Sequence, residues 1–127
     1  AAIANIHVLQ EDHLIEKAAL RGELLAKLLN KTAGEHPSVG DVRSIGLFGA
    51  IEIVRNRLTR QPMGEYDQPS PALVNVQKYS REHGLFHYIH DNLILIIPPL
   101  IISEEELTEG FEILSDALEI TDRLVDK

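Results

Sequence analysis

The segment VGDVRSIGLFGAIEIVR, residues 39–55, decides the fold class of this chain. From Ile45 onward every second residue is apolar or glycine, and β-branched residues are frequent. This alternation is typical of a β-strand with one buried face. Gly46 and Gly49 inside the segment indicate a bulge, a bend or a close approach of two backbones. We therefore expect two strands here, or one long bent strand.

Helical periodicity precedes this segment. Residues 1–10 are mildly apolar and can form a short helix. Residues 14–31 repeat apolar side chains at helical spacing, with Asp12 as the expected N-cap. Residues 32–34 (TAG) are expected to end this helix. On the other side of the strand segment, residues 56–71 are rich in proline and polar residues and predict a loop.

The second half of the chain predicts a helix followed by a hairpin. Ser70 and Pro71 are typical of a helix start, and Gly84 is typical of a helix end. Two apolar strands, residues 85–90 and 93–97, follow and are joined by the turn dipeptide DN. The second strand is apolar on both faces, so we expect it to be central in the sheet.

A final helix begins after the hairpin. Ser103 and Glu106 have the spacing of a capping box. A stripe of apolar residues then continues to about Val125. Together, these patterns predict an α+β fold for residues 1–127 as one domain, with a small, mostly antiparallel sheet and helices packed on one face.

Composition and charge exclude several classes of function. The 127 residues include 12 basic and 20 acidic side chains, and the formal net charge is −8. This charge argues against nucleic acid or an anionic membrane as a partner. The chain has no cysteine, which excludes disulfides, zinc-thiolate sites and a cysteine nucleophile. The apolar run at residues 93–102 is too short to cross a bilayer, and with no visible signal peptide we expect a cytoplasmic protein.

Histidines form the densest group of potential metal ligands. His83, His87, His90 and Asp91 lie within nine positions of one another. Metal sites need several such donors that converge on one point. The predicted helix end and strand would separate these side chains, so we favour surface or strand-edge histidines and expect no metal site. A metal site at these four residues is kept as a minor alternative.

Motifs of self-contained active sites are absent from the sequence. There is no nucleophile elbow, Walker loop or dinucleotide-binding fingerprint, and we expect no catalytic or cofactor-binding residue in this chain. Arg55, Arg57 and Arg60 are expected to form a solvated rim. A second hypothesis places residues 55–60 with Tyr88 around a small anion, in a stand-alone ligand-binding or regulatory α+β module.

Three segments resemble one known family. Residues 40–52 (GDVRSIGLFGAIE) resemble the strand motif V-R-G-x-G-L-x-x-x-I-E of class III aminotransferases. Residues 92–106 (NLILIIPPLIISEEE) resemble the C-terminal hairpin and last helix of that family, with P-P-L-I-I-[ST]-x-E-E. Residues 81–85 (REHGL) resemble the R-E-x-G-L approach to the hairpin. The segments occur in the expected order. The helix before residues 40–52 and the arginine-bearing loop at residues 55–60 also resemble the family, so the resemblance covers nearly the whole chain. It is greatest to the pyruvate-using ω-amino acid, amine or taurine branch.

This resemblance implies the C-terminal small domain of a fold-type I pyridoxal-phosphate enzyme. The parent would be a homodimer that moves an amino group from an amine or ω-amino acid, possibly taurine, to a keto acid such as pyruvate. Its large domain would supply the Schiff-base lysine and bind the cofactor. All lysines of this chain are expected to be solvated rather than nucleophilic: Lys17, Lys27, Lys31, Lys78 and Lys127. The chain alone is therefore expected to be inactive and to bind no cofactor. Because it begins Ala1-Ala2, we expect a piece cut from a longer protein.

The same resemblance implies where substrate would be contacted. Amine-type members carry a mobile arginine at the position of Tyr88, and ornithine-type members carry one at the position of Leu95. Neither residue can supply a guanidinium fork for a carboxylate, so the substrate group here would be a sulfonate, an amine or a group that the large domain binds. In a shifted alignment, His87 or His90 would face the anion instead. The substrate-pocket candidates are Tyr88, His90, Leu95 and Pro98.

Overall fold

The computed structural model describes residues 1–68 and 70–126. The elements along the chain are α1 (Ala2–Glu11), α2 (Leu14–Glu35), β1 (Val39–Ile45), β2 (Phe48–Asn56), β3 (Gln61–Pro62), α3 (Pro71–Glu82), β4 (Tyr88–His90), β5 (Leu93–Ile96) and α4 (Glu104–Asp122). In the described part of the chain, no helix combines the length and the apolar character needed to cross a membrane.

The main sheet has the strand order β1-β2-β5-β4, and each neighbouring pair is antiparallel. The short strand β3 pairs with the end of β2. One face of the sheet is buried by the helices: Ile51 and Ile94 are register partners and both are fully buried. These observations confirm the α+β fold with an antiparallel sheet and helices on one face. They also confirm that β5 is central.

The hydrophobic core lies between this sheet face and the three long helices. Each helix contributes the apolar stripe that its periodicity predicts. Fully buried side chains that the helices contribute to this cluster are Leu25 and Leu29 from α2, Leu73 and Val76 from α3, and Leu114 and Leu118 from α4. The helix α1 has no buried residue.

The segment that decides the fold forms two strands, as predicted. Its turn lies at Gly46, whose φ of +53° lies in the left-handed region that favours glycine. Gly49 faces the helices, and a Cβ there would lie 3.1 Å from Leu29 Cδ1. The two glycines therefore have different roles, one in a turn and one in a close approach.

The predicted start of α2 at Leu14 is confirmed, but its predicted N-cap and its predicted end are wrong. Asp12 is the C-cap of α1, and the N-cap of α2 is His13 with a φ of 50°. The helix also continues through Gly34 to Glu35. Glycine inside a helix costs about 1 kcal/mol, but Arg57 donates hydrogen bonds to the carbonyl oxygens near the end of this helix, and these bonds offset the cost.

The capping box at the start of α4 is confirmed. Glu106 N donates to Ser103 Oγ at 3.0 Å, and Ser103 N donates to Glu106 Oε2 at 2.8 Å. The helix ends at Asp122, three residues before the predicted limit near Val125.

The strand β4 is shorter than predicted, because residues 85–87 form the connection between α3 and β4 and contact the helix. Leu85 N donates to Ser80 O at 2.8 Å, and Gly84 has a φ of +90°. The Gln77 side chain donates to the carbonyl oxygen of His87. These backbone groups therefore pair with the helix instead of the sheet.

Candidate functional site

The face of the sheet opposite the helices is open and carries a row of four residues. Tyr88 is the register partner of Leu95, Leu95 of Ala50, and Ala50 of Arg43. Register partners on neighbouring strands place their side chains on the same face. The two positions at which the resemblance implies an arginine, Tyr88 and Leu95, are thus direct neighbours. Neither Tyr88 nor Leu95 carries a charge, so both positions at which an arginine is implied lie in an uncharged part of the sheet face.

Arg43 is the cation in this row, but carboxylates already bind its guanidinium. Its Nε lies 3.3 Å from Asp41 Oδ2, and its Nη2 lies 3.3 Å from Glu52 Oε2. Neighbouring strands are about 4.8 Å apart, so the Cα of Arg43 is about 14 Å from that of Tyr88 across three strand spacings. Arg43 therefore does not replace an arginine at the outer end of the row.

A cavity of about 370 Å³ lies between the approach to β4, the end of β5 and the first half of α4. Tyr88, Leu95 and Pro98 all line it. Most of its other described wall residues are apolar side chains such as Phe111, and none of them is lysine or arginine. The Glu106 carboxylate also belongs to the wall, where it accepts the capping hydrogen bond of α4. The site favours an uncharged, apolar group.

His87 lines the same cavity and is almost fully buried. Its Nε2 lies 3.0 Å from Ser80 Oγ. Burial, together with the positive charge of Arg81, lowers the pKa of His87 from 6.5 to about 4. The imidazole is therefore neutral near pH 7. The alternative that His87 faces the anion of the substrate stays a prediction, in which the neutral imidazole would act as a hydrogen-bond donor and not as a cation.

His90 is separated from the other pocket candidates. It follows Tyr88 on the same face of β4, but it lines a second, more polar cavity of about 350 Å³ that Tyr88 also borders. Its Nδ1 lies 3.1 Å from Asp91 Oδ2. Asp91 also accepts a hydrogen bond from the backbone N of Asp67, so the hairpin turn is tied to the preceding loop. The structure thus brings three of the four candidates together and places His90 beside them.

Of the four residues of the alternative metal site, His90 and Asp91 contact each other, whereas His83 and His87 contact α3. His83 stacks on Tyr79, with ring centroids 4.0 Å apart, and places Nδ1 2.8 Å from the Tyr79 carbonyl oxygen. His87 contacts α3, and His90 contacts Asp91. Within residues 1–68 and 70–126, no three side chains of the metal-binding types converge on one point.

Arg57 has a structural role that the solvated-rim interpretation missed. Its Nε donates to the Val39 carbonyl oxygen at 2.7 Å, and its Nη2 donates to that of His36 at 2.7 Å. Arg57 therefore joins the end of α2 to the start of β1 and is not available for a small anion. Arg55 and Arg60 are exposed, as predicted.

The lysines of the described residues are exposed, as predicted: Lys17, Lys27, Lys31 and Lys78. Lys127 lies outside the described residues. None of the four lines the cavity beside Tyr88. The described residues thus contain no desolvated amine at the candidate site.

Comparison with known proteins assigns the family. The family profile described as aminotransferase class-III matches residues 1–118. An uncharacterized aminotransferase of Schizosaccharomyces pombe is 36% identical over 95% of this chain and 28% of its own length. The taurine–pyruvate aminotransferase of Bilophila wadsworthia is 34% identical over 86% of the chain and 24% of its own length.

The fold comparison agrees. The structure of a taurine:2-oxoglutarate aminotransferase from Bifidobacterium kashiwanohense, in complex with PLP and glutamate, superposes with a TM-score of 0.90 at 28% identity. The match covers 98% of this chain and 28% of that protein. The chain thus spans about a quarter of the length of the relatives that it matches. The chain belongs to the class III aminotransferase family.

Proposed function

We propose that this chain is the small C-terminal domain of a pyridoxal-phosphate-dependent transaminase, over residues 1–127. The observation that carries the proposal is the family match along nearly the whole chain, which corresponds to only about a quarter of each relative. The remaining three quarters would contain the large domain. The parent enzyme would move an amino group from an amine or ω-amino acid, possibly taurine, to a keto acid such as pyruvate.

The cofactor would be held outside this chain. Pyridoxal phosphate supplies an electron sink for amino-group transfer when it is bound to its enzyme. It requires a lysine for the Schiff base and donors for the phosphate. The described lysines are exposed and the cavity wall contains neither lysine nor arginine, so these residues do not fit the cofactor. The isolated chain is accordingly expected to be inactive.

The role of this chain would be to cover the substrate and exclude water. Tyr88, Leu95 and Pro98 would form the surface toward the substrate, because they line one cavity and two of them lie on the open sheet face. Without a free guanidinium there, the facing substrate group would be uncharged, and the anion of the acceptor would be bound by the large domain. His90 would lie at the margin of this surface. A cytoplasmic homodimer completes the proposal.

The test uses the longer reading frame that contains this sequence. The purified protein with pyridoxal phosphate should form alanine from pyruvate when a panel of amine and ω-amino acid donors is supplied, and residues 1–127 alone should not. Failure of the longer protein with every donor, or activity of the isolated chain, would contradict the proposal. A reading frame that provides no lysine-bearing large domain would contradict it as well.

A Leu95→Arg variant tests the surface assigned to the substrate. A hydrogen bond to a charged group contributes about 1.5–3 kcal/mol, so this variant should raise kcat/KM for carboxylate-bearing donors about tenfold relative to uncharged amines. Leu58→Arg is the matched control, because Leu58 is 95% exposed in a loop. Equal ratios in the two variants would mean that Leu95 does not face the substrate.

A further inference from the structure

A partly buried hydrogen-bond relay joins α4 to the junction between α2 and β1. His36 Nε2 lies 2.7 Å from Ser115 Oγ, and His36 Nδ1 lies 2.7 Å from Asp122 Oδ2. His36 is only 6% exposed. The relay is on the helix side of the sheet and shares no residue with the cavity beside Tyr88.

The carboxylate of Asp122 sets the direction of this relay. Its Oδ1 accepts hydrogen bonds from Ser38 N at 3.1 Å and from Ser38 Oγ at 2.6 Å. Its Oδ2 is left to accept the Nδ1–H proton of His36. With Nδ1 as the donor, the tautomer that can act as a base has a bare Nε2, which accepts the hydroxyl proton of Ser115. This is the order of groups that activates a serine: nucleophile, base and orienting carboxylate.

Ser115 is also the member of the relay that faces open space. It is half-buried and lines a cavity of about 190 Å³ between the last turns of α2 and the middle of α4. His36 and Asp122 do not line this cavity. A small molecule in the cavity would therefore meet the hydroxyl first, with the base behind it.

We propose that Ser115 is an activated nucleophile that is acylated by small carboxylic esters. The Ser115 hydroxyl proton passes to His36 Nε2 while Oγ bonds to the ester carbonyl carbon. The tetrahedral adduct then breaks its bond to the alcohol oxygen, which leaves with the proton from His36. A water molecule then gives a proton to Nε2 while its oxygen bonds to the acyl carbon. The bond from that carbon to Oγ breaks, the acid leaves, and Oγ takes the proton back from Nε2. No oxidant or cofactor takes part.

Few donors are available for the negative charge of the adduct. The N–H of Ser115 lies inside α4 and is used by the helix. The hydroxyls of Thr32 and Thr108, which also line the cavity, donate to backbone carbonyl oxygens. The Lys31 ammonium is the nearby cation of the cavity wall. Acylation should therefore require an ester with a good leaving group, and deacylation should be slow.

The charge of the cavity wall restricts the ester further. Glu35, Glu112 and Asp116 line the cavity together with Lys31. Carboxylates outnumber the single cation, so an anionic ester would be repelled. Neutral activated esters are the class expected to react.

The test is a burst of p-nitrophenol from p-nitrophenyl acetate with the chain described here. We expect one equivalent for each chain, followed by slow turnover, and an acetyl group on the peptide that contains Ser115. Ser115→Ala should abolish the burst and should keep the fold, because alanine is the best helix former. The matched control is Ser44→Ala, which removes an exposed strand serine and should retain the full burst.

The base is tested by a second variant. His36→Asn should lower the rate of the burst about 100-fold, the contribution typical of a general base, and its circular dichroism spectrum shows whether it has folded. If His36→Asn does not fold, Ser115→Ala and the position of the acetyl group still test the proposal. A burst of equal size in Ser115→Ala and the unchanged chain, or acetyl groups found only on lysines, would overturn the proposal. The relay would then act solely as a link between α4 and β1.

Discussion

Lowering the pH should destabilise the folded chain through His87. The imidazole is 5% exposed, and in the described part of the chain its Nδ1 has no hydrogen-bond partner. The pKa of His87 is lowered from 6.5 to about 4, mainly because the imidazole is buried and also because of the positive charge of Arg81. The folded chain therefore resists a proton that the unfolded chain accepts readily.

The sign and size of the effect follow from this difference. Between pH 6.5 and about pH 4 the unfolded chain binds more protons at this residue, so the free energy of unfolding falls as the pH is lowered. The gap between the two pKa values corresponds to about 3 kcal/mol in full. At about pH 5 the loss should reach about 2 kcal/mol relative to about pH 7.5.

Urea unfolding followed by circular dichroism measures this loss at about pH 7.5, 6 and 5. A His87→Gln variant isolates the contribution of His87 to the pH dependence, because this variant retains the carboxylates and the other histidines. Its free energy of unfolding should fall by about 2 kcal/mol less over this range. A His7→Gln variant, in the exposed helix α1, should behave like the unchanged chain. If His87→Gln loses as much stability on acidification as the unchanged chain, the reasoning is refuted.

Two further pairs of variants test the packing by thermal unfolding. Gly22→Ala should destabilise the chain, because a Cβ there would lie 2.7 Å from the Cα of Gly46; Gly34→Ala has nothing within 4 Å and should stabilise it by about 0.5–1 kcal/mol. If both variants changed the thermal stability in the same direction, the close approach of α2 to the turn would be contradicted. Arg57→Met should cost about 2 kcal/mol, since it removes the donors to carbonyl oxygens at the end of α2 and the start of β1. Arg55→Met should change stability by less than about 0.5 kcal/mol.

Local patterns were sufficient where the structure depends on neighbours in the chain. The capping box at Ser103 and Glu106 is formed as predicted. Residues 39–56 form two strands, one of the two predicted alternatives, with a turn at Gly46 where a bulge, a bend or a close approach was expected. Each depends on backbone torsions or on hydrogen bonds between residues a few positions apart. The end of α2 was mispredicted because Arg57, more than twenty positions later, binds its last carbonyl oxygens. A local pattern contains no information on such a partner.

Some features of the candidate site could likewise be predicted from the sequence, whereas others depend on contacts between distant residues. The resemblance drew attention to Tyr88 and Leu95 as alternatives, and only the sheet register shows that they are neighbours. Burial, which depends on the packing of α3, lowers the pKa of His87, so the tertiary structure was needed to show that this residue would meet an anion as a neutral imidazole. The roles of Tyr88, His90, Leu95 and Pro98 toward a substrate stay predictions.

The sequence by itself determined the fold class, the strand and helix segments and the family, because periodicity, turn residues and ordered motifs are properties of short segments. The tertiary structure alone decided which side chains meet. His36 and Asp122 are 86 positions apart and His36 and Ser115 are 79 apart, yet their atoms lie within 2.7 Å. Contacts of this kind result from strand register and helix packing, which depend on the whole core at once.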